Sequence, residues 1–206
     1  MDTKDDAVCF GIEDFPEGAL EREPTEEEEN ESMTIRQKNF RAAAEAVARA
    51  LAEIPTVEKV ALFGSVAVPL RKEISRLQPF RRLGIELLHE CKDVDIAVWV
   101  NDMASLRLLQ KARCRALSGL LHEKNIGVAH HQVDIFIMEP GAGRFLGNLC
   151  AFGVCPKGKP DCLAEGCGRV QFLKKYDGFQ FNADALTPGK SIILFDRNPE
   201  MSNVKP

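Results

Sequence analysis

The sequence contains no apolar run approaching the roughly 20 residues that a membrane-spanning helix requires, so we expect no membrane partner. It also lacks an excess of basic residues. The net charge of −4 at pH 7 does not indicate bulk nucleic-acid binding, and it leaves nucleic acid open as a partner. The first residues are acidic and hold no apolar segment typical of a secretory signal peptide. From these absences we expect a cytoplasmic protein.

Seven cysteines without a recognisable secretion signal are typical of reduced thiols or metal ligands rather than of disulfides. Four of them follow the spacing C-x4-C-x6-C-x4-C, with glycine and proline between them and little that could form a core. Four thiolates in a short span suit a structural Zn²⁺, because four sulfur ligands leave no open coordination position. The alternative is four reduced cysteines in a loop. The predicted zinc ligands are Cys150, Cys155, Cys162 and Cys167.

Residues 1–31 are strongly acidic and include four consecutive glutamates at positions 26–29. Because such a segment repels itself and has little to bury, we expect a disordered, solvated tail. The alternative is an acidic arm that covers a basic groove. A helix is expected to follow, because Thr34 and Gln37 fit a capping box and apolar residues recur at helical spacing up to Pro55.

Three apolar segments predict the strands of a central sheet. Residues 57–63 lack polar alternation at their end, which is typical of a strand covered on both faces. Residues 96–100 and 133–138 are predicted to be strands as well. A helix from Asp102 to about Glu123 is expected between them. The basic residues of that helix are expected at its wet surface, and they are Arg107, Lys111, Arg113 and Arg115.

Polar residues with defined geometry lie at the ends of these strands. Gly64 permits a tight turn and Ser65 can bind a phosphate or cap a helix. Asp93 and Asp95 project to the same side, because side chains alternate along a strand. Asp134 lies in an apolar run, where an unpaired charge is costly. Adjacent carboxylates are well neutralised by a hard cation with oxygen ligands, although a solvated pair at a loop end is the alternative.

The segment between the first two strands, residues 66–92, is locally basic. A solvated helical surface is the simplest interpretation. The functional interpretation is a cationic wall for a triphosphate or another polyanion. Arg71 and Lys72 are then the best candidates, because they lie nearest to the Gly-Ser turn in sequence.

The order of these motifs resembles the nucleotidyltransferase fold of the polymerase-β-like superfamily. Gly64-Ser65 follows an apolar strand, Asp93-x-Asp95 opens a second strand, and Asp134 lies on a third. The size resembles that of the minimal nucleotidyltransferases, and the resemblance covers about residues 34–140. It implies an α+β fold with a nucleotidyltransferase-type mixed sheet flanked by helices.

The resemblance also implies an activity, namely Mg²⁺-dependent transfer of a nucleoside monophosphate from a nucleoside triphosphate to an acceptor hydroxyl. It assigns two Mg²⁺ ions to Asp93 and Asp95, which would bind them together with the triphosphate. Asp134 would complete the second metal site and help to activate the hydroxyl. Gly64 and Ser65 would hold the phosphates, beside the candidate phosphate ligands of the basic segment.

Two departures from the family pattern keep other functions open. The segment 66–92 is much longer than usual, and Val66-Ala67-Val68-Pro69 replaces a small, arginine-containing sequence. One alternative is a catalytically inactive, antitoxin-like relative that binds a protein partner. Another is a zinc-dependent nucleic-acid-binding module. The sequence does not specify the acceptor or the preferred base.

After the four-cysteine segment, residues 170–173, 178–181 and 191–195 are predicted to be short strands of a small, zinc-stapled β region packed on the catalytic core. The expected organisation is an acidic tail at 1–31, a nucleotidyltransferase-like domain at 32–145, a four-cysteine zinc lobe at 146–196 and a tail at 197–206.

Overall fold

The structure is a computed structural model that describes residues 23–71, 75–141, 143–150, 169–176 and 178–199. These residues form an α+β fold with a six-stranded mixed sheet and packed helices. The predicted fold class is confirmed at that level. None of the helices in these ranges is long and apolar enough to cross a membrane.

Within the described ranges, the sheet has the strand order β5-β4-β3-β2-β1-β6. Strands β2 and β3 are parallel, and the other neighbours are antiparallel. The strands are β1 (Val57–Phe63), β2 (Val94–Val100), β3 (Val133–Met138), β4 (Phe145–Leu149), β5 (Leu173–Lys174) and β6 (Ile192–Asp196). The α-helices are α1 (Glu26–Ala52), α2 (Gln78–Arg82) and α3 (Leu106–Lys124).

Helices α1 and α3 cover one face of the sheet. Because side chains alternate along a strand, every second residue of the central strands points into this layer. The resulting core is almost entirely aliphatic. Its strand residues include Val60, Leu62, Ile96, Val98, Ile135 and Ile137, and its helix residues include Val47, Leu51, Leu106, Leu109, Leu117 and Leu120.

The opposite face of the sheet carries a smaller aromatic core. Phe63 and Phe136 meet edge to face, with ring centroids 5.1 Å apart. The chain at 178–187 crosses this face and places Phe181 against both rings. The central strands are therefore covered on both sides, as the unbroken apolar run at the end of β1 predicts.

Helix α1 begins at Glu26, well before the position that the Thr34–Gln37 pair predicts. The capping box is formed by Thr25, whose hydroxyl accepts from the backbone N–H of Glu28, while the Glu28 carboxylate accepts from the backbone N–H of Thr25. The four glutamates at 26–29 form the first turn, where the positive end of the helix dipole stabilises negative charge. The assignment of these residues to a disordered tail was therefore wrong; residues 1–22 lie outside the described ranges.

The first turns of α1 are also anchored by the segment that follows α2. The side chain of Asn30 donates to the carbonyl of Glu86 and accepts from the N–H of Leu88. The carboxylate of Glu26 accepts from the N–H of Glu86 at 2.8 Å. These bonds tie the acidic turn to the long segment between β1 and β2.

The C-terminal strands belong to the main sheet rather than to a separate β region. Strand β6 pairs with β1 at one edge, and β5 pairs with β4 at the other. The chain at 178–181 forms no strand and instead contributes its aromatic rings to the second core. Strand β6 pairs the backbone groups on the outer side of β1 and itself forms that edge of the described sheet.

Candidate functional site

Asp95 and Asp134 lie side by side in the centre of the sheet. They are paired positions in the parallel ladder of β2 and β3, and both side chains are partly buried. Neighbouring strands are about 4.8 Å apart, so the two carboxylates share one site. Both lie on the aromatic face, because they alternate with the core residues that point towards α1 and α3. Asp93 immediately precedes β2 and is exposed.

Ionisation of Asp95 and Asp134 is unfavourable in the folded protein. Burial raises the pKa of Asp95 from 3.8 to about 7, and the negative charges of Asp134 and Asp93 add to the effect. The pKa of Asp134 is also raised, first by burial and then by Asp93, while Arg113 and Lys174 oppose the rise. A site that penalises ionised carboxylates in this way gains stability from a bound cation.

The turn after β1 touches the acid pair directly. Phe63 is the register partner of Asp95, and Gly64 begins a single 3₁₀ turn that ends at Val66. Gly64 has φ of 74°, and a Cβ atom placed there would lie 2.2 Å from Oδ2 of Asp95. Only glycine therefore fits, both for backbone conformation and for space. The structure brings the predicted turn and the predicted acids together.

Two side chains of α1 hold the same turn from behind. Nε2 of Gln37 donates to the carbonyl of Val68 at 2.7 Å, and Nε of Arg41 donates to the carbonyl of Val66 at 3.0 Å. Sequence reasoning treated α1 as a scaffold without chemistry and missed both residues. The signal was present, because Gln37 and Arg41 are polar residues four apart on the buried side of the helix.

Arg113 is the clearest departure from the expected surface of α3. Its side chain is 1% exposed rather than solvated, and Nη1 donates to the carbonyl of Val133 at 3.4 Å. Its Nε and Nη2 atoms have no hydrogen-bond partner within the described part of the chain. Burial lowers the pKa of Arg113, while nearby acidic groups that include Asp134 oppose this. The buried guanidinium partly balances the charge of Asp134.

Of the predicted cationic wall, the structure describes Arg71, which contacts its own segment of the chain. Arg71 is exposed, and its Nε pairs with the Glu86 carboxylate at 3.1 Å. It lines a cavity of about 370 Å³ together with Arg81, Gly84, Ile85 and Glu86. The structure therefore does not join Arg71 to the acid pair, because the residue is turned towards its own segment of the chain. Lys72 lies outside the described residues.

Metal ligation stays a prediction at both expected sites. Among the described side chains, no group of three or more His, Cys, Asp or Glu residues is close enough to hold a metal ion. Asp95 and Asp134 do supply the oxygen donors that Mg²⁺ prefers, and the charge of exposed Asp93 raises the pKa of both. Cys150 is buried after β4, where its N–H donates to the carbonyl of Phe172. The other three predicted zinc ligands, Cys155, Cys162 and Cys167, lie outside the described ranges.

Comparison of the chain with protein-family models, with curated proteins and with solved structures gave no match.

Proposed function

We propose that the protein is a Mg²⁺-dependent nucleotidyltransferase that moves a nucleoside monophosphate from a nucleoside triphosphate to an acceptor hydroxyl. One observation carries this proposal: the carboxylates of Asp95 and Asp134 lie in register on adjacent strands, against the Gly64 turn. A cluster of acids beside a tight glycine turn can bring a polyphosphate and a divalent cation to the same point.

Each residue then has a role that follows from its position. The backbone of Gly64 and Ser65 would approach the phosphates, since glycine permits close contact and the turn is held rigidly from α1. Asp134 would accept the proton of the attacking hydroxyl or orient that hydroxyl. Asp93, Asp95 and Asp134 are the residues that would hold Mg²⁺. The ion would supply charge neutralisation of the phosphates and of the attacking oxygen.

The raised pKa of Asp95 supports the same proposal. At neutral pH a carboxyl group with a pKa of about 7 is partly protonated. A bound cation would favour the ionised form and so would exchange the proton for the metal. Cation binding is therefore expected to release protons and to strengthen as pH rises.

A second candidate function is a non-catalytic relative that binds a protein partner. It is favoured by the position of Arg71, whose Nε pairs with the Glu86 carboxylate in its own segment of the chain. In that case Asp95→Asn would leave partner binding unchanged, and the protein would not release pyrophosphate.

The deciding experiment measures binding and turnover separately. Thermal shift and calorimetry with each of the four nucleoside triphosphates, with and without Mg²⁺, test the site without knowledge of the acceptor. Pyrophosphate release in the presence of candidate hydroxyl acceptors then tests the reaction. Asp95→Asn and Asp134→Asn should abolish both signals, while Glu45→Gln, which removes an exposed acid of α1, should change neither. Intact protein that binds neither Mg²⁺ nor any triphosphate would refute the proposal.

A further inference from the structure

Tyr176 and Phe179 form an exposed aromatic shelf on the same side of the sheet as the acid pair. Their side chains are 46% and 45% exposed, although both rings are anchored. Phe179 lies 6.3 Å from Tyr176, 5.3 Å from Phe145 and 6.2 Å from Phe136, measured between ring centroids. The two rings therefore continue the aromatic core to the solvent-exposed surface.

The shelf is connected to the acid pair through the sheet. Phe136, which contacts Phe179, follows Asp134 by two residues on β3 and faces the same side, about 7 Å along the strand. Lys174 provides a second link, because its Nζ lies 4.6 Å from the centroid of Tyr176. The charge of Lys174 also acts on Asp134. Lys174 thus lies against the Tyr176 ring and is also close enough to lower the pKa of Asp134.

We propose that the aromatic shelf formed by Tyr176 and Phe179 stacks against the base of the bound nucleoside triphosphate, while Lys174 faces its phosphates. The inference rests on the proposed function and adds the part of the site that distinguishes a nucleotide from a bare polyphosphate. An aromatic ring can stack on the base, and a cation beside the proposed phosphate-binding centre suits the phosphates of the same nucleotide. Because every base has a π-face, stacking of this kind selects weakly among the four bases.

Paired titrations separate ring binding from phosphate binding. Both ATP and inorganic tripolyphosphate are titrated in the presence of Mg²⁺. We expect wild-type protein to prefer ATP by about 5- to 150-fold, the range that one stacked base provides. Tyr176→Leu should remove most of that preference and leave the affinity for tripolyphosphate unchanged. Tyr176→Phe keeps the ring and should retain the preference.

A matched control and a direct readout exclude a general effect on folding. Phe80 of α2 is 42% exposed and is remote in sequence from the shelf, so Phe80→Leu should leave both affinities unchanged. Tyr176 is the only tyrosine and Trp99 the only tryptophan of the chain. In Trp99→Phe protein, tyrosine emission therefore reports on the shelf alone, and we expect ATP to quench it while tripolyphosphate does not.

The possible outcomes separate failure of the shelf proposal from failure of the nucleotidyltransferase proposal. Equal loss of both affinities in Tyr176→Leu, or no loss of either, would overturn the shelf proposal and leave the nucleotidyltransferase proposal standing. The same holds if Tyr176→Leu changes only the response to an acceptor, since the ring would then bind the acceptor. Wild-type protein that binds neither ligand would overturn both proposals.

Discussion

Replacement of Asp95 by asparagine is expected to stabilise the protein while it removes the proposed activity. The folded state raises the pKa of this carboxyl group from 3.8 to about 7. Each unit of pKa difference between the folded and the unfolded state corresponds to about 1.4 kcal/mol. Ionisation of the carboxyl group therefore costs the folded state about 4 kcal/mol at most. Because the side chain keeps some solvent contact, we expect a gain in the free energy of unfolding of about 2 to 4 kcal/mol at pH 8.

The difference in stability between Asp95→Asn and wild-type protein depends on pH, and its direction follows from the raised pKa of Asp95. Below pH 3.8 the carboxyl group is protonated in both the folded and the unfolded state, and the cost is absent. As the pH rises towards about 7, the unfolded chain ionises first, so wild-type protein loses stability relative to Asp95→Asn. Above that pH both states are ionised and the difference is constant.

Urea unfolding, followed by circular dichroism in the presence of a chelator, measures the effect at several pH values. Glu45→Gln is the control for loss of an exposed acid, and we expect it to change stability by less than about 0.5 kcal/mol. Addition of Mg²⁺ at pH 8 should stabilise wild-type protein and have no effect on Asp95→Asn. A variant no more stable than wild type at pH 8, or a difference that grows towards acid pH, would refute the reasoning.

Three further substitutions test the turn, its support and the start of α1. Gly64→Ala should lower the free energy of unfolding by about 2 to 3 kcal/mol, because it adds both backbone strain and a clash; Gly84→Ala, at φ of 78° in open space, should show the backbone cost alone in the same urea titration. Gln37→Leu removes a partly buried donor and should lower the free energy of unfolding by about 1 to 2 kcal/mol. It should also raise the KM for nucleotide more than it lowers kcat, and an unchanged KM would contradict the positioning role. Thr25→Ala should cost about 1 kcal/mol in thermal unfolding and Thr34→Ala clearly less, and the opposite order would place the helix start where the sequence rule put it.

The sheet was predictable because its strands are short apolar runs that end in polar residues. The bounds predicted for β1 and β3 agree with the structure, and Asp102 accepts from the N–H of Ala104 at the start of the helical segment that leads into α3, as expected. A short apolar run with polar residues at its end is enough to predict such a strand, because a strand covered on both faces needs apolar side chains on both. The resemblance implied that Asp95 and Asp134 share a site, but the parallel register of β2 and β3 that places them side by side was not predicted.

Other features were hidden for identifiable reasons. An acidic run repels itself in isolation, so the glutamates at 26–29 predict a tail until a capping residue and the tertiary anchor at Glu86 are known. Arg113 was expected at the surface because arginine carries a charge. In the fold, a hydrogen bond to the carbonyl of Val133 and the charge of Asp134 stabilise the buried guanidinium. The aromatic shelf of Tyr176 and Phe179 could not be predicted, because its position depends on where the preceding strand, β5, pairs in the sheet. Long-range pairings of this kind leave no local pattern in a sequence.

The pairing of β6 with β1 has a consequence for the order in which the protein is made. Nε of Arg197 donates to the carbonyl of Val57, across 140 positions of the chain. The strand that leads into Gly64 therefore gains its outer neighbour only after the more than one hundred intervening residues have been synthesised. Until then its open edge is a site for pairing with other nascent chains, and chaperones that shield strand edges would act in that interval. The edge of the Gly64 corner is thus completed only when β6 arrives.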